Sequence, residues 1–236
     1  MGALNVVALL AVLLFLPEAH PSQHARTQAV SYGEMLRKPK IQGLALYRMV
    51  NSIQMGLWFS FLPLLAAEVL ALSKSQIGVI IAAHMLVSAV VQVPAGRLAD
   101  RMSRRHLAAI GGYLGSFAFV AVYYAGGFWH LLFIGCVTGA MGAIAMPALT
   151  ALAADEGQHS GMGAVMGVLN MAMSAGMMLG PVSAGALAEV IGLRALFVFA
   201  AVVGVLGTLG LMRLTAEPHA PSLVLSEKGN LPTGSG

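Results

Sequence analysis

The sequence has very little charge and almost no cysteine. Only 9% of its 236 residues are Asp, Glu, Lys or Arg, whereas 58% are hydrophobic. Soluble domains contain about 25% charged residues, so this composition excludes a domain whose whole surface contacts water. The single cysteine, Cys136, excludes an intrachain disulfide. The chain is therefore expected to lie in a lipid bilayer.

Long uncharged runs predict transmembrane helices, each of which needs about 20 residues. The longest uncharged block covers residues 106–154, which as one helix would be roughly 74 Å long at about 1.5 Å per residue. It must therefore turn, and the sequence GGFW at 126–129 is the expected place. The runs are too long and too uniformly apolar for barrel strands. The predicted fold is an all-α membrane protein, a bundle of about seven transmembrane segments at 3–16, 43–70, 76–95, 106–126, 129–152, 162–187 and 194–212.

Basic residues are concentrated on one side of this predicted bundle. Of 13 Lys and Arg, ten fall on one side, Lys74 and Arg194 fall on the other, and Arg48 lies inside segment two. Because loops rich in Lys and Arg stay in the cytoplasm, the first side, with the C-terminus, is predicted to be cytoplasmic. The net charge of +4 therefore indicates membrane topology, not a nucleic-acid partner. The predicted organisation is a partial transmembrane helix (1–16), a cytoplasmic linker (17–41), a six-helix transmembrane domain (42–215) and a disordered cytoplasmic tail (216–236).

Residues 1–20 have a second interpretation, as a secretory signal peptide. No basic residue precedes their apolar run, and cleavage would export the four basic residues of the linker. Both features favour a membrane helix with its N-terminus outside. Within the linker, the stretch SYGEMLRK is predicted to form a short helix at the membrane surface.

One stretch, GRLADRMSRR at 96–105, holds five charged residues in ten positions and has a weaker copy, GALAEVIGLR, at 185–194. Each copy follows the second helix of a set of three. Three crossings reverse the direction of the second set, so segments two to four and five to seven are predicted to form an inverted repeat, unless the similarity is fortuitous. Inverted three-helix repeats are typical of transporters, whose substrate sites lie near the membrane midplane between repeats.

The stretch GRLADRMSRR also resembles a known motif. The major facilitator superfamily of transporters carries the cytoplasmic loop signature Gly-x-x-x-Asp-Arg-x-Gly-Arg-Arg, in which Ser103 replaces the second glycine. The positions that match are Gly96, Asp100, Arg101, Arg104 and Arg105.

Two further stretches carry the same resemblance. The sequence GMMLGPVSAG at 176–185 is similar to the Gly-x-x-x-Gly-Pro-x-x-Gly-Gly helix pattern of antiporters in that family, through Gly176, Gly180, Pro181 and Gly185. Residues 61–78 resemble the first helix and outer loop of a family half. Together the matches extend over about residues 3–215.

The resemblance implies a fold and a function. Family members have twelve helices in two halves, so the chain resembles the C-terminal half of a drug–proton antiporter-like transporter, with six helices and the end of the preceding one. It implies secondary active transport of a small organic molecule by alternating access, with proton-coupled efflux and no cofactor. The partners would be the bilayer, the substrate, a proton, and an N-terminal half or a second copy of the chain. The chain would be a fragment, one member of a split pair, or a half that self-associates.

For the loop motif, the resemblance implies a gate on the cytoplasmic side. The family's aspartate faces the N-terminus of a neighbouring helix, and its arginines pair with acids across the bundle. In this sequence, the helix facing Asp100 is expected in the other half, and the available acids are Asp155 and Glu156, at the cytoplasmic start of segment six. The alternative is that the loop's positive charge only sets topology.

Polar residues inside the segments are candidates for a substrate or proton pathway. Arg48 is also placed where an arginine can reach the membrane surface. His84 can change charge near neutral pH, but a hydrogen-bonded packing histidine is the alternative. No Asp or Glu lies mid-segment, so a carboxylate proton carrier is expected outside this sequence. The candidates occupy helical faces on segments two, three and six: Arg48, Asn51 and Gln54; His84, Ser88 and Gln92; and Asn170 and Ser174.

Segment six is also rich in glycine. Gly163, Gly167, Gly176 and Gly180 have the small-xxx-small spacing that lets helices approach closely. The pair Gly180–Pro181, with Gly176, is the predicted site of helix flexing. Methionines cluster at 162–178 and are interpreted mainly as packing residues.

Other classes fit less well. A seven-helix receptor shares the predicted topology but not the repeat. An intramembrane enzyme would need a nucleophile–base pair or a metal cluster, and the sequence contains no motif for either. A non-transporting regulatory subunit or a degenerate transporter fragment stays open as the alternative function.

Overall fold

A computed structural model describes residues 32–216, and within this range the ordered elements are all α-helices. Helix α1 is short and the six that follow are long. Their bounds are Tyr32–Leu36 (α1), Pro39–Glu68 (α2), Lys74–Arg101 (α3), Arg104–Tyr123 (α4), Phe128–Ser160 (α5), Met162–Ile191 (α6) and Leu193–Leu214 (α7).

Helices α2 to α7 are each long and apolar enough to cross a membrane, which confirms predicted segments two to seven. The uncharged block 106–154 does turn, between the end of α4 at Tyr123 and the start of α5 at Phe128. The short α1 lies where the sequence predicted a surface helix, and its Met35 is fully buried. Segment one, most of the linker and the tail beyond Ala216 lie outside the described residues.

Two helices extend well beyond the predicted apolar segments. Helix α3 includes the motif from Gly96 to Arg101, so the predicted loop is reduced to two residues before α4. Helix α5 continues to Ser160, which places Asp155 and Glu156 in its last turns and not at the start of segment six. The sequence prediction was wrong here because charge ends the apolar run, whereas the backbone stays helical until Gly161, whose φ of +92° breaks the helix.

Local sequence explains several of the helix starts. Ser73 and Gln76 form a capping box at the start of α3, each side chain bonding the other's backbone N–H. Pro39 occupies the first turn of α2, where a missing N–H costs nothing. Gly192, with φ of +80°, separates α6 from α7.

The helices pack as two sets of three. The most extensive contacts join α2 to α6 and α7, α3 to α5, and α4 to α5 and α7. Exchanging α2 with α5, α3 with α6 and α4 with α7 leaves this list unchanged. The structure therefore has the predicted inverted repeat, with α2–α4 as one unit and α5–α7 as the other.

The buried side chains form two clusters, one toward each end of the bundle. One contains Tyr47, Leu107 and Leu149 and lies toward the end that carries Lys38, Arg104 and Arg105, here called the basic end. The other contains Trp58, Phe119 and Phe197 and lies toward the opposite end. The outer faces of α3 and α6 are exposed and apolar, with the following residues each at least 64% exposed: Leu86, Val90, Val93, Met171, Met178, Val182 and Val190.

Candidate functional site

A half-open cavity of about 480 Å³ lies between the helices of the bundle, bordered by residues of both buried clusters. Its walls come from α2, α3, α4 and α5, with Met173 of α6 closing one side. The structure brings together six of the eight residues predicted for a pathway, in a space large enough for a small organic molecule. These six are Arg48, Asn51, Gln54, His84, Ser88 and Gln92.

The two remaining candidates lie elsewhere. Asn170 and Ser174 are exposed on α6, and neither lines the cavity, although Met173 between them does. The spacing of these side chains could be read from the sequence, but the rotation of α6 about its axis could not. Thr138, which lines the cavity from α5, was missed because a lone threonine in an apolar run carries no periodic signal.

Arg48 supplies a positive charge to the cavity wall. It lies about 14 Å from the start of α2 at about 1.5 Å per residue. Its guanidinium donates to the thioether sulfurs of Met146 and Met173, the second at 2.8 Å. Within residues 32–216, it has no other hydrogen bond and no salt bridge. Sulfur in a thioether is a weak acceptor, so this arginine is positioned but poorly neutralised.

His84 is held against α5. Its ring Nδ1 lies 3.0 Å from the carbonyl oxygen of Gly135 and 3.2 Å from the hydroxyl of Thr138. A carbonyl only accepts, so Nδ1 carries the proton and donates, which leaves Nε2 as the group able to exchange a proton. Trp58 stacks on the imidazole at 5.2 Å between ring centroids, and Phe59 meets it edge-on at 5.8 Å.

Gln54 has a structural contact in addition to its place in the cavity wall. The amide nitrogen donates to the hydroxyl of Ser116 at 3.3 Å and to the carbonyl of Ala200 at 3.1 Å. These bonds tie α2 to α4 and α7. A satisfied interhelical amide is less available to a substrate than the side chain of Asn51, which makes no such bond within the described residues.

The glycines of α6 divide into two pairs. Gly176 and Gly180 pack directly on α2, where an added Cβ at Gly180 would lie 2.8 Å from the carbonyl oxygen of Ile53. An added Cβ at Gly163 or Gly167 would have no neighbour within 4 Å. Of these four glycines of α6, only Gly176 and Gly180, next to Pro181, therefore pack closely on another described helix.

At the basic end, ion pairs between described residues join the helix ends. One guanidinium nitrogen of Arg104 donates to both carboxylate oxygens of Asp155, at 2.5 and 2.6 Å. Lys38 lies 3.9 Å from the carboxylate of Glu156 and donates to Ser160 at 2.6 Å. Thus α5 is tied to the start of α4 and to the residue preceding α2.

The other motif residues at this end are placed differently. Arg105 donates to the backbone carbonyl of Met212 on α7. Gly96 has no atom within 4 Å of an added Cβ, and Asp100 and Arg101 are exposed at the end of α3. In the described range, Asp100 makes no hydrogen bond or salt bridge.

Ser103 caps α4. Its hydroxyl accepts from the backbone N–H of His106, and its φ of −59° needs no glycine. The departure from the Gly of the loop signature therefore leaves the turn intact.

A comparison with protein families matches residues 44–234 to the model described as Major Facilitator Superfamily. The chain belongs to that superfamily. It is 29% identical over 194 residues to the inner membrane transport protein YajR of Escherichia coli, covering 79% of this chain and 41% of YajR. It is 29% identical over 164 residues to the quinolone resistance protein NorA of Staphylococcus aureus, covering 69% of this chain and 42% of NorA.

An uncharacterized MFS-type transporter of Methanocaldococcus jannaschii is 25% identical over 149 residues, covering 62% of this chain and 39% of the relative. The chain thus spans about two fifths of the length of these curated relatives. Among solved structures, it matches a bacterial homolog of the human lysosomal transporter Spinster, captured inward-facing and unoccupied. The TM-score is 0.61 at 20% identity, and the match covers 86% of this chain and 46% of that one. This major facilitator chain is therefore a multi-pass membrane protein with part of the superfamily fold.

Proposed function

We propose that the chain provides half of the pathway of a secondary transporter that moves a small organic molecule by alternating access. The observation that carries the proposal is a cavity of about 480 Å³ that brings together several polar side chains within an otherwise apolar bundle. Because buried polar groups are costly in a membrane protein, they mark substrate and ion pathways. Relatives named as transport proteins support the same function.

The working unit is a twelve-helix bundle. Its second six helices come from an N-terminal half, joined or separate, or from a second copy of this chain. Two observations support this assembly. The chain spans about two fifths of the curated relatives, and the outer faces of α3 and α6 expose apolar side chains.

The unit lies in the cell membrane with its basic end, and the C-terminus, in the cytoplasm. The supporting observation is the charge bias, since Arg97, Arg101, Arg104 and Arg105 all lie at the basic end, and Arg194 lies at the opposite end. Loops that carry excess Lys and Arg remain on the cytoplasmic side.

The motif at the basic end acts as a gate. Asp100 and Arg101 are exposed at the end of α3, the helix whose outer face is open to a second bundle, whereas Arg104 is already paired within this one. When the cytoplasmic side is closed, Asp100 faces the N-terminus of a helix in the second bundle. A carboxylate in such a position gains about 0.3–1 kcal/mol, enough to favour the closed state over an open state of similar free energy. Flexing at Gly176, Gly180 and Pro181 would accompany the change.

The gate is tested with Asp100→Asn in the assembled transporter, with Glu189→Gln at the opposite end as the matched control. We expect slower uptake and a larger cytoplasm-open population for the first variant only, measured by cysteine accessibility. Unchanged uptake and accessibility for Asp100→Asn would count against the gate.

Transport is coupled to protons and directed outward. Among the residues lining the cavity, His84 is the side chain that ordinarily changes charge near neutral pH, and the relative NorA is named for drug resistance. Coupling uses His84, alone or together with a carboxylate of the second bundle.

The transport proposal is tested in inverted membrane vesicles from cells expressing the chain together with the segment encoded next to it. We expect a proton gradient to drive accumulation of fluorescent anionic, neutral or cationic aromatic compounds, and an uncoupler to abolish it. His84→Gln should weaken the coupling, whereas His130→Gln, at the opposite end, should not. No accumulation of any compound, with both bundles present in the membrane, would favour the non-transporting subunit.

A further inference from the structure

The cavity is charged at one place. Arg48 is the only Lys, Arg, Asp or Glu among the residues that line it. The acids in the described range, Glu34, Glu68, Asp100, Asp155, Glu156 and Glu189, all lie near helix ends, away from the cavity. The positive charge therefore has no carboxylate partner inside residues 32–216.

Two donor groups that border the cavity lack strong acceptors in the described range. The guanidinium of Arg48 has five N–H donors, and its observed acceptors are two thioethers. The indole N–H of Trp58, whose side chain lines the cavity and is 2% exposed, has no acceptor within the described chain. An unpaired donor is costly, so Arg48 would be stabilised by an occupant that accepts hydrogen bonds, whereas the N–H of Trp58 is itself buried and its ring borders the cavity as an apolar surface.

The walls change character along the bundle axis. Arg48, Asn51 and Gln92 lie about 14–18 Å from the basic-end termini of their helices, at about 1.5 Å per residue. Trp58 and Phe59 lie about 29–30 Å along α2 on the same scale. There they form a ring cluster with His84 and Phe119, with Trp58 and Phe119 5.7 Å apart. The cavity is thus polar and cationic toward the basic end and aromatic toward the other.

From these three observations we infer that the substrate is an amphipathic organic anion. Its carboxylate, or an anionic group of similar geometry, pairs with Arg48, and its apolar or aromatic body packs against Trp58, Phe59 and Phe119. The planar guanidinium suits such a group because it can bind two oxygens at once. The flexible side chains of Met146 and Met173 would yield the guanidinium to a stronger acceptor. This inference rests on the proposed function, since it names the substrate class of the same cavity.

The chain offers its own optical probe for a test. It contains two tryptophans, Trp58 in the cavity and Trp129, which is 76% exposed at the opposite end. In Trp129→Phe, the fluorescence of the purified full chain comes from Trp58 alone. Contact quenching by 4-bromobenzoate, 4-bromobenzyl alcohol and 4-bromobenzylammonium then compares an anion, a neutral compound and a cation on the same ring.

We expect the anion to reach half-maximal quenching at a concentration about tenfold or more below the neutral compound, as for a charge-assisted pair, and the cation to be weakest. Arg48→Gln should remove the preference. Arg48→Lys, which keeps the charge without the planar fork, should retain part of it and also serves if Arg48→Gln does not fold. Arg213→Gln, an exposed arginine near the end of α7, is the matched control and should keep the full preference.

Equal quenching by the anion and the neutral compound, or a preference that persists in Arg48→Gln, would overturn the inference. A preference for the cation, with cation accumulation in the vesicle assay, overturns the anion assignment and leaves the transport proposal standing. No quenching by any probe, with no vesicle accumulation, removes both.

Discussion

Alanine substitutions in α6 test which face of this helix packs against α2. In sequence, Gly163 and Gly167 have the same spacing as Gly176 and Gly180, and small residues four apart equally predict a helix contact. The structure separates the pairs. An added methyl at Gly176 would meet the carbonyl oxygen of Met49 and lie 2.8 Å from Cβ of Ser52, whereas one at Gly163 would meet nothing within 4 Å.

The magnitude follows from two opposing effects. Alanine is favoured over glycine inside a helix by about 0.5–1 kcal/mol, and this gain applies to both positions. At Gly176 the methyl also forces α6 away from α2, and overpacking costs about 1–3 kcal/mol. Because the obstacle is a backbone carbonyl that cannot rotate aside, we expect the upper part of that range. Gly163→Ala should therefore be neutral or slightly stabilised, and Gly176→Ala should be about 2–3 kcal/mol less stable than Gly163→Ala.

The assay is thermal unfolding of the purified full chain in detergent, followed by loss of the monodisperse chromatographic peak. At about 2–4 °C per kcal/mol for chains of this size, the two variants should differ by several degrees. Gly180→Ala, whose methyl would lie 2.8 Å from the carbonyl of Ile53, should behave like Gly176→Ala. Equal midpoints for Gly163→Ala and Gly176→Ala would refute the assigned α2–α6 contact.

Three further predictions use the same unfolding assay. Gln54→Leu should cost about 1–3 kcal/mol, because the buried amide that bonds Ser116 is lost. Ser103→Ala should cost about 0.5–2 kcal/mol through loss of the α4 cap, whereas Ser103→Gly should cost only a few tenths. Asp155→Asn should cost less than about 1 kcal/mol, because its pair with Arg104 is exposed to solvent, and the difference should shrink at high salt.

Each of these has a control within the chain. Asn51→Leu removes a cavity amide that makes no hydrogen bond in the described range, so stability should not fall as it does for Gln54→Leu. Glu189→Gln should be insensitive to salt. Equal losses for Ser103→Ala and Ser103→Gly, or a large salt-independent loss for Asp155→Asn, would contradict the contacts assigned at the basic end.

Much of the fold could be predicted from the sequence because a membrane helix needs a contiguous apolar run, which is a one-dimensional signal. Segments two to seven and the turn after Tyr123 were found in this way, whereas the inverted repeat was predicted from the similarity of residues 96–105 to residues 185–194. The helix ends were less predictable. Helix α5 continues through Asp155 and Glu156 because backbone hydrogen bonding does not stop where charge begins.

The candidate site was likewise predicted from the sequence only in part. Polar side chains at helical spacing on α2 and α3 predicted Arg48 and His84, and the structure places both in one cavity. Asn170 and Ser174 had equally regular spacing and yet lie on an exposed face. Spacing shows that residues share a face of a helix, but it does not show what that face meets.

The sequence by itself thus determined that this protein lies in a lipid bilayer, and it determined the number of helices in the described part, their order and the superfamily motif. Each of these depends on composition or on neighbours along the chain. The tertiary structure decided the rest: that among residues 32–216 Arg48 meets thioethers and no carboxylate and buried Trp58 has no acceptor, and that Gly176 packs on α2 whereas Gly163 does not. These facts depend on the rotation of each helix about its own axis. That rotation is set by packing between helices distant in sequence, so no local pattern in the chain records it.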